Sequence, residues 1–409
     1  MKPHRPTPPV SIDLVAARLF RLSLGVFFIG GFVASSISLL VPRMRLTLGL
    51  DYLMATSVQL ASFSSYLLFA VPVAAIVAAT GFMRAHAIGL AVMALGCVAL
   101  AGGIMTQHYG IVLAALLAVS TGATFLQIAS NTAVTIVGDP RRAAMRLNLL
   151  QGFNSFGTVV GPALGATTIV SARAATDPAG PVLPFAIAAL VLALLAAAFF
   201  HRRDMLQGLP AGSLRITRSA WVVTLGDRRL LAGAGGIFLY VGAEVTIGTL
   251  LTDFLMTRHA LAWRADAAAG LVALYWGGAM IGRFAGAAVM RSVSPARVLG
   301  GAAVLAALLV GGAVATGGAV AAGALLAVGI VNSIMYPTIY VMALPVRPER
   351  TAPGAMVLCI AVIGGAVIPM LTGALADRIG LVHALLLPAA CYLPIAAFAR
   401  RYRTPRAVA

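Results

Sequence analysis

The chain alternates between long apolar runs and short polar interruptions along its whole length. Runs long enough to cross a bilayer as a helix, which takes about 20 residues, fall at residues 18–42, 52–79, 86–106, 109–138, 143–170 and 181–200. A basic stretch follows at 201–229, with Arg202, Arg203, Arg215, Arg218, Arg228 and Arg229. Six more runs come at 230–254, 261–290, 296–316, 319–344, 351–376 and 381–399. The pattern predicts an all-α membrane protein of twelve transmembrane helices. Its expected parts are a six-helix bundle over 18–200, a linker over 201–229 and a second six-helix bundle over 230–399, with tails at 1–17 and 400–409.

One run departs from the apolar rule. In the string RLNLLQGFNSFGTVVGPALG, residues 146–165, Asn148, Gln151 and Asn154 recur every third residue and share a helical face. Carboxamides facing hydrocarbon each cost kilocalories unless they meet partners or water, so the stripe is expected to line an internal cavity. Gln127 and Asn131, four residues apart on the fourth run, share a face that can turn toward it, and Gln59, Ser62 and Tyr66 form a further stripe on the second. In the second half, Tyr275 and Trp276 lie within the eighth run, and Asn332 and Tyr336 within the tenth. Amides donate and accept hydrogen bonds without charge, as the hydroxyls of a neutral sugar require, and an aromatic ring suits a sugar's C–H face. The alternative duty of all these groups is hydrogen bonding between neighbouring helices. Pro337 and Pro369 interrupt their runs as kinks or packing features.

Composition fixes the class: 61% of the 409 residues are hydrophobic and only 10% charged, far from a soluble globular balance. The formal charge of +18 would suggest nucleic acid in a soluble chain, but most arginines lie in short loops and no soluble domain is available to bind one. All but six of the 29 Lys and Arg fall on the side of both termini and the linker, the six being Arg43, Arg45, Arg173, Arg258, Arg264 and Arg378. The positive-inside rule then makes both termini cytoplasmic, which an even number of spans also demands. Residues 1–15 are polar and proline-rich and lack a signal-peptide core. Cys97, Cys359 and Cys391 stand singly in apolar runs as packing residues, and His86, His108 and His383 lie near span ends, so no metal site is assigned. With no GxxxxGK[ST] loop and no catalytic dyad or triad, neither ATP drive nor enzymatic activity is expected, and no cofactor is implied.

Glu244 is the one acid deep in a run. An intramembrane carboxylate is costly to bury, so Glu244 is the candidate for proton or cation coupling or for accepting a hydrogen bond from substrate, with bonding to a neighbouring helix as the alternative. Arg283 near the end of the eighth run and Asp377 beside Arg378 at the end of the eleventh are candidate gating charges; Arg84 with Gly81 weakly echoes the first. Gly161, Gly165, Gly277, Gly278, Gly282, Gly364 and Gly365 suit close helix packing.

Two six-helix halves joined by a basic linker are the arrangement expected of the major facilitator superfamily, where substrate sits at the midplane between the halves. Six strings closely resemble its fucose:proton symporter and glucose/galactose transporter family: LQIASNTAVTIVG (126–138), RLNLLQGFNSFG (146–157), YVGAEVTIG (240–248), YWGGAMIGRF (275–284), NSIMYPTI (332–339) and GGAVIPMLTGALADRIG (364–380). They occur in the family's order and span nearly the whole chain. The resemblance places the fucose symporters' two carboxylates at Ser38 and Gln127, both neutral here. Gln127 is similar to the glucose/galactose branch, whereas Ser38 departs from both. Neither titrates in the physiological range, so a proton-driven cycle would run through Glu244 or Asp253; sodium coupling and facilitated diffusion stay open.

The combined expectation is a secondary transporter, working as a monomer in the lipid bilayer of a bacterial cytoplasmic membrane. It would move a neutral monosaccharide by alternating access. Substrate would bind among Gln59, Tyr66, Gln127, Asn131, Gln151 and Asn154 of one half and Glu244, Tyr275, Trp276 and Asn332 of the other. Transport of an amphipathic or cationic solute is the alternative, because a lone acid among aromatics could hold a cation. A non-transporting receptor would usually carry a sizeable signalling domain, and the longest polar segment is the linker.

Overall fold

The architecture is that of a computed structural model, which describes residues 12–48, 63–165, 180–206, 218–263 and 265–403. Among the described residues the ordered elements are all helical. In chain order they are α1 (Ile12–Leu48), α2 (Ala70–Thr80), α3 (Phe82–Met105), α4 (Tyr109–Ile136), α5 (Ala143–Gly165), α6 (Leu183–His201), α7 (Arg218–Leu225), α8 (Arg228–Met256), α9 (Ala265–Val289), α10 (Pro295–Ala315), α11 (Gly318–Asn332), α12 (Met335–Ala343), α13 (Pro348–Ile360), α14 (Gly364–Ile379), α15 (Leu381–Ala384) and α16 (Leu386–Arg401), with short 3₁₀ turns between some of them.

Ten helices among the described residues are long and apolar enough to cross a membrane, once α11 with α12, α13 with α14, and α15 with α16 are each taken as one continuous crossing. The other two expected spans are α2 and α5. Residues 63–68 are helical just before α2, but the earlier part of that span, 52–62, lies outside the described residues. Helix α5 is long enough at 23 residues, and its apolarity is diluted by Arg146, Asn148, Gln151 and Asn154. Part of the expected linker, 207–217, also lies outside the described residues. Large apolar side chains such as Leu95, Leu190, Leu194, Leu308, Val320 and Met370 point away from the protein interior, as lipid-facing positions do.

Local chemistry sets the helix boundaries. Asp227 caps α8 by accepting from the backbone N–H groups of Arg229 and Leu230 at 3.0 and 3.1 Å. Asp139 caps the turn into α5 in the same way, accepting from Arg141 N at 2.9 Å. Arg146 donates to the carbonyls of Val134, Val137 and Asp139, closing the frayed end of α4.

Helices α1 to α6 pack mainly on one another, through α3 on α4, α1 on α5 and α3 on α6. Helices α8 to α16 do likewise, through α10 on α16, α8 on α14 and α9 on α11. The two groups meet where α9 and α12 pack on α5 and where α13 packs on α2 and α4. Glycine makes several crossings possible. A Cβ at Gly157 would strike the Phe28 carbonyl between α5 and α1, and one at Gly364 would strike the Phe238 carbonyl between α14 and α8.

The ends of these helices collect at one pole. Ala16 of α1 lies against Gly138 after α4, Arg84 pairs with Asp204 at 3.7 Å, and Arg229 donates to Met342 O at 2.7 Å beneath the Tyr402 ring. The start of α1, the end of α6, the start of α8 and the end of α16 therefore share this pole.

Candidate transport site

A cavity of about 340 Å³ opens between α1, the helical segment 63–68, α4 and α5, with Val362 of the second group on its far side. Its polar lining is Tyr66, Ser120, Gln127, Asn131, Gln151 and Asn154, set among Val26, Phe27, Val33, Phe63 and other apolar groups. Five of the ten sequence-predicted binding residues therefore line one cavity. Gln59 lies outside the described residues. Ser38 is on α1, with its side chain likewise outside them.

The amides are partly engaged with the protein and partly open. Asn131 Nδ2 donates to Gln127 Oε1 at 2.5 Å and to the Tyr336 hydroxyl at 3.0 Å, and that hydroxyl donates to Gln127 Oε1 at 3.1 Å. Asn154 Nδ2 donates to Phe27 O at 3.0 Å, tying α5 to α1. Asn131 Oδ1 is buried without a hydrogen-bond partner among the described residues. The Gln151 side chain makes no hydrogen bond to the described residues, yet it is only 8% exposed and lines the cavity. Unused donors and acceptors in a largely apolar pocket are what a polyhydroxylated ligand can satisfy.

The stripe on α5 divides by depth. Gln151 and Asn154 reach the cavity, whereas Asn148 is fully buried between the helix groups, donating to Ala144 O, to Thr338 Oγ1 at 3.2 Å and toward Met290 Sδ. Thr132 and Tyr340 share a hydroxyl–hydroxyl bond of 2.8 Å. Tyr336, Thr338 and Tyr340 all belong to α12, so this nine-residue helix wedges between α4 and α5. The polar contacts joining the two groups gather on the terminus-bearing side of the cavity.

The second-half candidates form a separate cluster. Glu244 Oε1 lies 3.7 Å from Arg283 Nη2, and each side chain is 13% exposed. Arg283 also donates from Nη1 to Gln151 O at 3.3 Å and to Ser155 Oγ, and from Nε to Ser333 O at 3.3 Å. Tyr275 and Asn332 are completely buried: Asn332 Nδ2 donates to the hydroxyls of Tyr275 and Tyr392, and Tyr275 donates to Glu244 O. Neither lines the cavity, and nor do Glu244 and Trp276. Trp276 stands edge-on to Tyr275 and is 39% exposed. Asp377 is exposed at the far end of α14 and makes no ion pair among the described residues. Sequence patterning gave no sign of Ser155 as the partner of Arg283 across the groups, because a lone serine in a glycine-rich helix carries no distinguishing signal. His86 is likewise integrated into the packing, bonded to Ser130 Oγ at 2.7 Å and stacked on Phe199. Among the described residues no cluster of His, Cys, Asp or Glu could hold a metal.

Two packed groups of membrane-spanning helices with a polar cavity between helices of one group and a short helix of the other reaching to its floor define a membrane transporter. Residues 22–358 match the Major Facilitator Superfamily, and the chain belongs to that family. A glucose/galactose transporter of Brucella abortus is 39% identical over 380 residues, covering 91% of this chain and 90% of that one. The L-fucose-proton symporter of Escherichia coli is 26% identical over 419 residues, covering 93% and 92%. A crystal structure of the superfamily transporter FucP in the outward conformation superposes with a TM-score of 0.84 at 24% identity, covering 96% of this chain and 100% of that one. The resemblance drawn from the six sequence strings is thereby borne out, and the relatives are transporters and not enzymes.

Proposed function

We propose that this chain carries a neutral monosaccharide of the glucose or galactose type across a bacterial cytoplasmic membrane by alternating access. The observation that carries this reading is the cavity itself: its polar groups are amides and hydroxyls, with Gln151 and Asn131 retaining unused hydrogen-bonding capacity. The 39% identity to a glucose/galactose transporter supports the same substrate class. The positive-inside distribution supports a cytoplasmic placement of the terminus-bearing pole, and in that placement the described conformation is closed to the cytoplasm. In this reading Tyr66, Gln127, Asn131, Gln151 and Asn154 contact the sugar first. Trp276, Tyr275, Asn332 and Glu244 belong to the half that swings toward it.

Glu244 is the coupling candidate, with proton, sodium or neither as the driving ion, and the working unit is a monomer. The cationic-solute reading is weaker, because the carboxylate that would hold a cation already faces Arg283 at 3.7 Å. Counterflow of labelled glucose, galactose and fucose in proteoliposomes tests the proposal. Exchange of at least one is expected, and exchange of none overturns it.

A further inference from the structure

Pro337 lies inside α12, and proline has no N–H to donate to the carbonyl four residues back. That carbonyl belongs to Ser333, at the break between α11 and α12, and it is the one that receives Arg283 Nε at 3.3 Å. The same guanidinium faces Glu244 in its own helix group and crosses to the other group through Gln151 O and Ser155 Oγ. Its planar fork holds five N–H donors in a fixed geometry, so one guanidinium serves all three directions with little reordering. Gly282 makes the approach possible, since a Cβ there would strike both Ile330 O and Ser333 Oγ.

These contacts join parts with different duties. Ser333 O heads the short helix whose hydroxyls plug the floor beneath the cavity, and Gln151 supplies the cavity's open amide. A nearly buried guanidinium is tolerated only while it is paired and hydrogen-bonded. When the groups separate at this pole, its bonds to α5 must break, while Glu244 and Ser333 O move with it in the same group. The groups facing the pair are Tyr240 on the same helix as Glu244, Tyr275 on α9 and Tyr392 on α16.

We propose that Arg283 is a positioning latch: seated on Glu244 and on the carbonyl freed by Pro337, it clasps α5 at Gln151 and Ser155 and so sets how often the terminus-bearing pole is closed. This deepens the sugar-transport reading and rests on it only for the identity of the solute, because Arg283 does not line the cavity.

The test reads the opening of the pole directly. Spin labels at cysteines introduced in place of Arg141 and Ser292, exposed just beyond α4 and α9, report the separation of the groups there by pulsed electron resonance. The native cysteines are all buried. Ser155→Ala removes one oxygen and is expected to shift the population toward the longer separation by about tenfold, the order expected for losing a hydrogen bond to a charged group. Arg283→Gln should shift it further and Arg283→Lys less, because lysine keeps the charge without the fork. Pro337→Ala returns an N–H that competes with Nε for Ser333 O and should shift it the same way.

A separation unchanged in folded Ser155→Ala overturns the latch, even if Arg283→Gln fails to fold. The labels need no solute, so the two readings fail separately. A shift without counterflow of any sugar upholds the latch and sinks the substrate assignment; intact counterflow without a shift sinks the latch alone.

Discussion

Asn131 of α4 and Tyr336 of α12 come from opposite helix groups and share a hydrogen bond of 3.0 Å, with Gln127 as a second partner for the same hydroxyl at 3.1 Å. Two amides that line the cavity are thus oriented by a phenol that leaves with the other half when the groups part. Tyr336→Phe keeps the ring and removes both bonds, while Asn131 and Gln127 stay bonded to each other. The expected loss of stability is about 1–3 kcal/mol, measured by thermal unfolding in detergent. It should come with faster opening of the terminus-bearing pole, and unaltered unfolding would show that the hydroxyl contributes nothing to the closed state.

Gln151 and Asn154 line the same cavity from the same helix but differ in what else they do. Gln151 makes no side-chain hydrogen bond to the described residues, whereas Asn154 ties α5 to the Phe27 carbonyl. Gln151→Ala is therefore expected to weaken sugar binding by about tenfold, one hydrogen bond's worth, with thermal stability kept. Asn154→Ala should weaken binding and stability together. Isothermal titration beside a thermal melt separates the two; equal melting losses for both variants would contradict the assignment.

The division of the α5 stripe shows what sequence could and could not tell. Three-residue spacing put Asn148, Gln151 and Asn154 on one face, and they do share it. The depth at which the two groups touch depends on the tertiary approach of α9 and α12, which no local pattern encodes, so Asn148 ends between the groups and its neighbours in the cavity. Tyr275 and Asn332 stand out in the sequence because they are polar in apolar runs. In the described conformation their hydroxyl and amide bond each other, and Asn332 also bonds Tyr392, pairings between residues 57 and 60 positions apart that periodicity could not foresee. Apolar patterning carried most of the helix placement and Pro337 marked the break in the tenth span, whereas the breaks at 361–363 and Leu385 and the short helix in the linker carried no such mark.

Glycines that look alike in sequence separate cleanly by environment. In YWGGAMIGRF, a Cβ at Gly277 would meet nothing within 4 Å, while one at Gly282 would strike the Ile330 carbonyl. Backbone cannot yield as a side chain tip can, so Gly282→Ala must push α9 from α11. Gly277→Ala should express, fold and transport like the unaltered protein, with a gain of up to about 1 kcal/mol from helix propensity. Gly282→Ala should lose about 1–3 kcal/mol of stability and most transport. Expression with size-exclusion profiles and counterflow checks both, and equal behaviour of the pair would refute the packing argument.

Glu244 is the proposed coupling group. It is the deep acid of the chain, only 13% exposed, and its carboxylate is the counter-charge of Arg283 at 3.7 Å. Exchange of labelled for unlabelled sugar needs the halves to rock but needs no net movement of an ion, whereas accumulation against a gradient needs a group that binds the ion on one side and releases it on the other. Gln127, where the sequence resemblance places an acid of the fucose symporters, is uncharged throughout and cannot fill that role. Glu244→Gln retains the size and one acceptor oxygen but cannot take up or release a proton. In liposomes with an imposed proton gradient, the unaltered protein is expected to accumulate sugar. Glu244→Gln leaves Arg283 without its counter-charge, so counterflow is expected to fall without being lost, whereas accumulation is expected to be lost altogether. A parallel sodium gradient distinguishes the ions: accumulation on sodium alone assigns the carboxylate to the cation, and equal proton-driven accumulation by both proteins removes Glu244 from the coupling step.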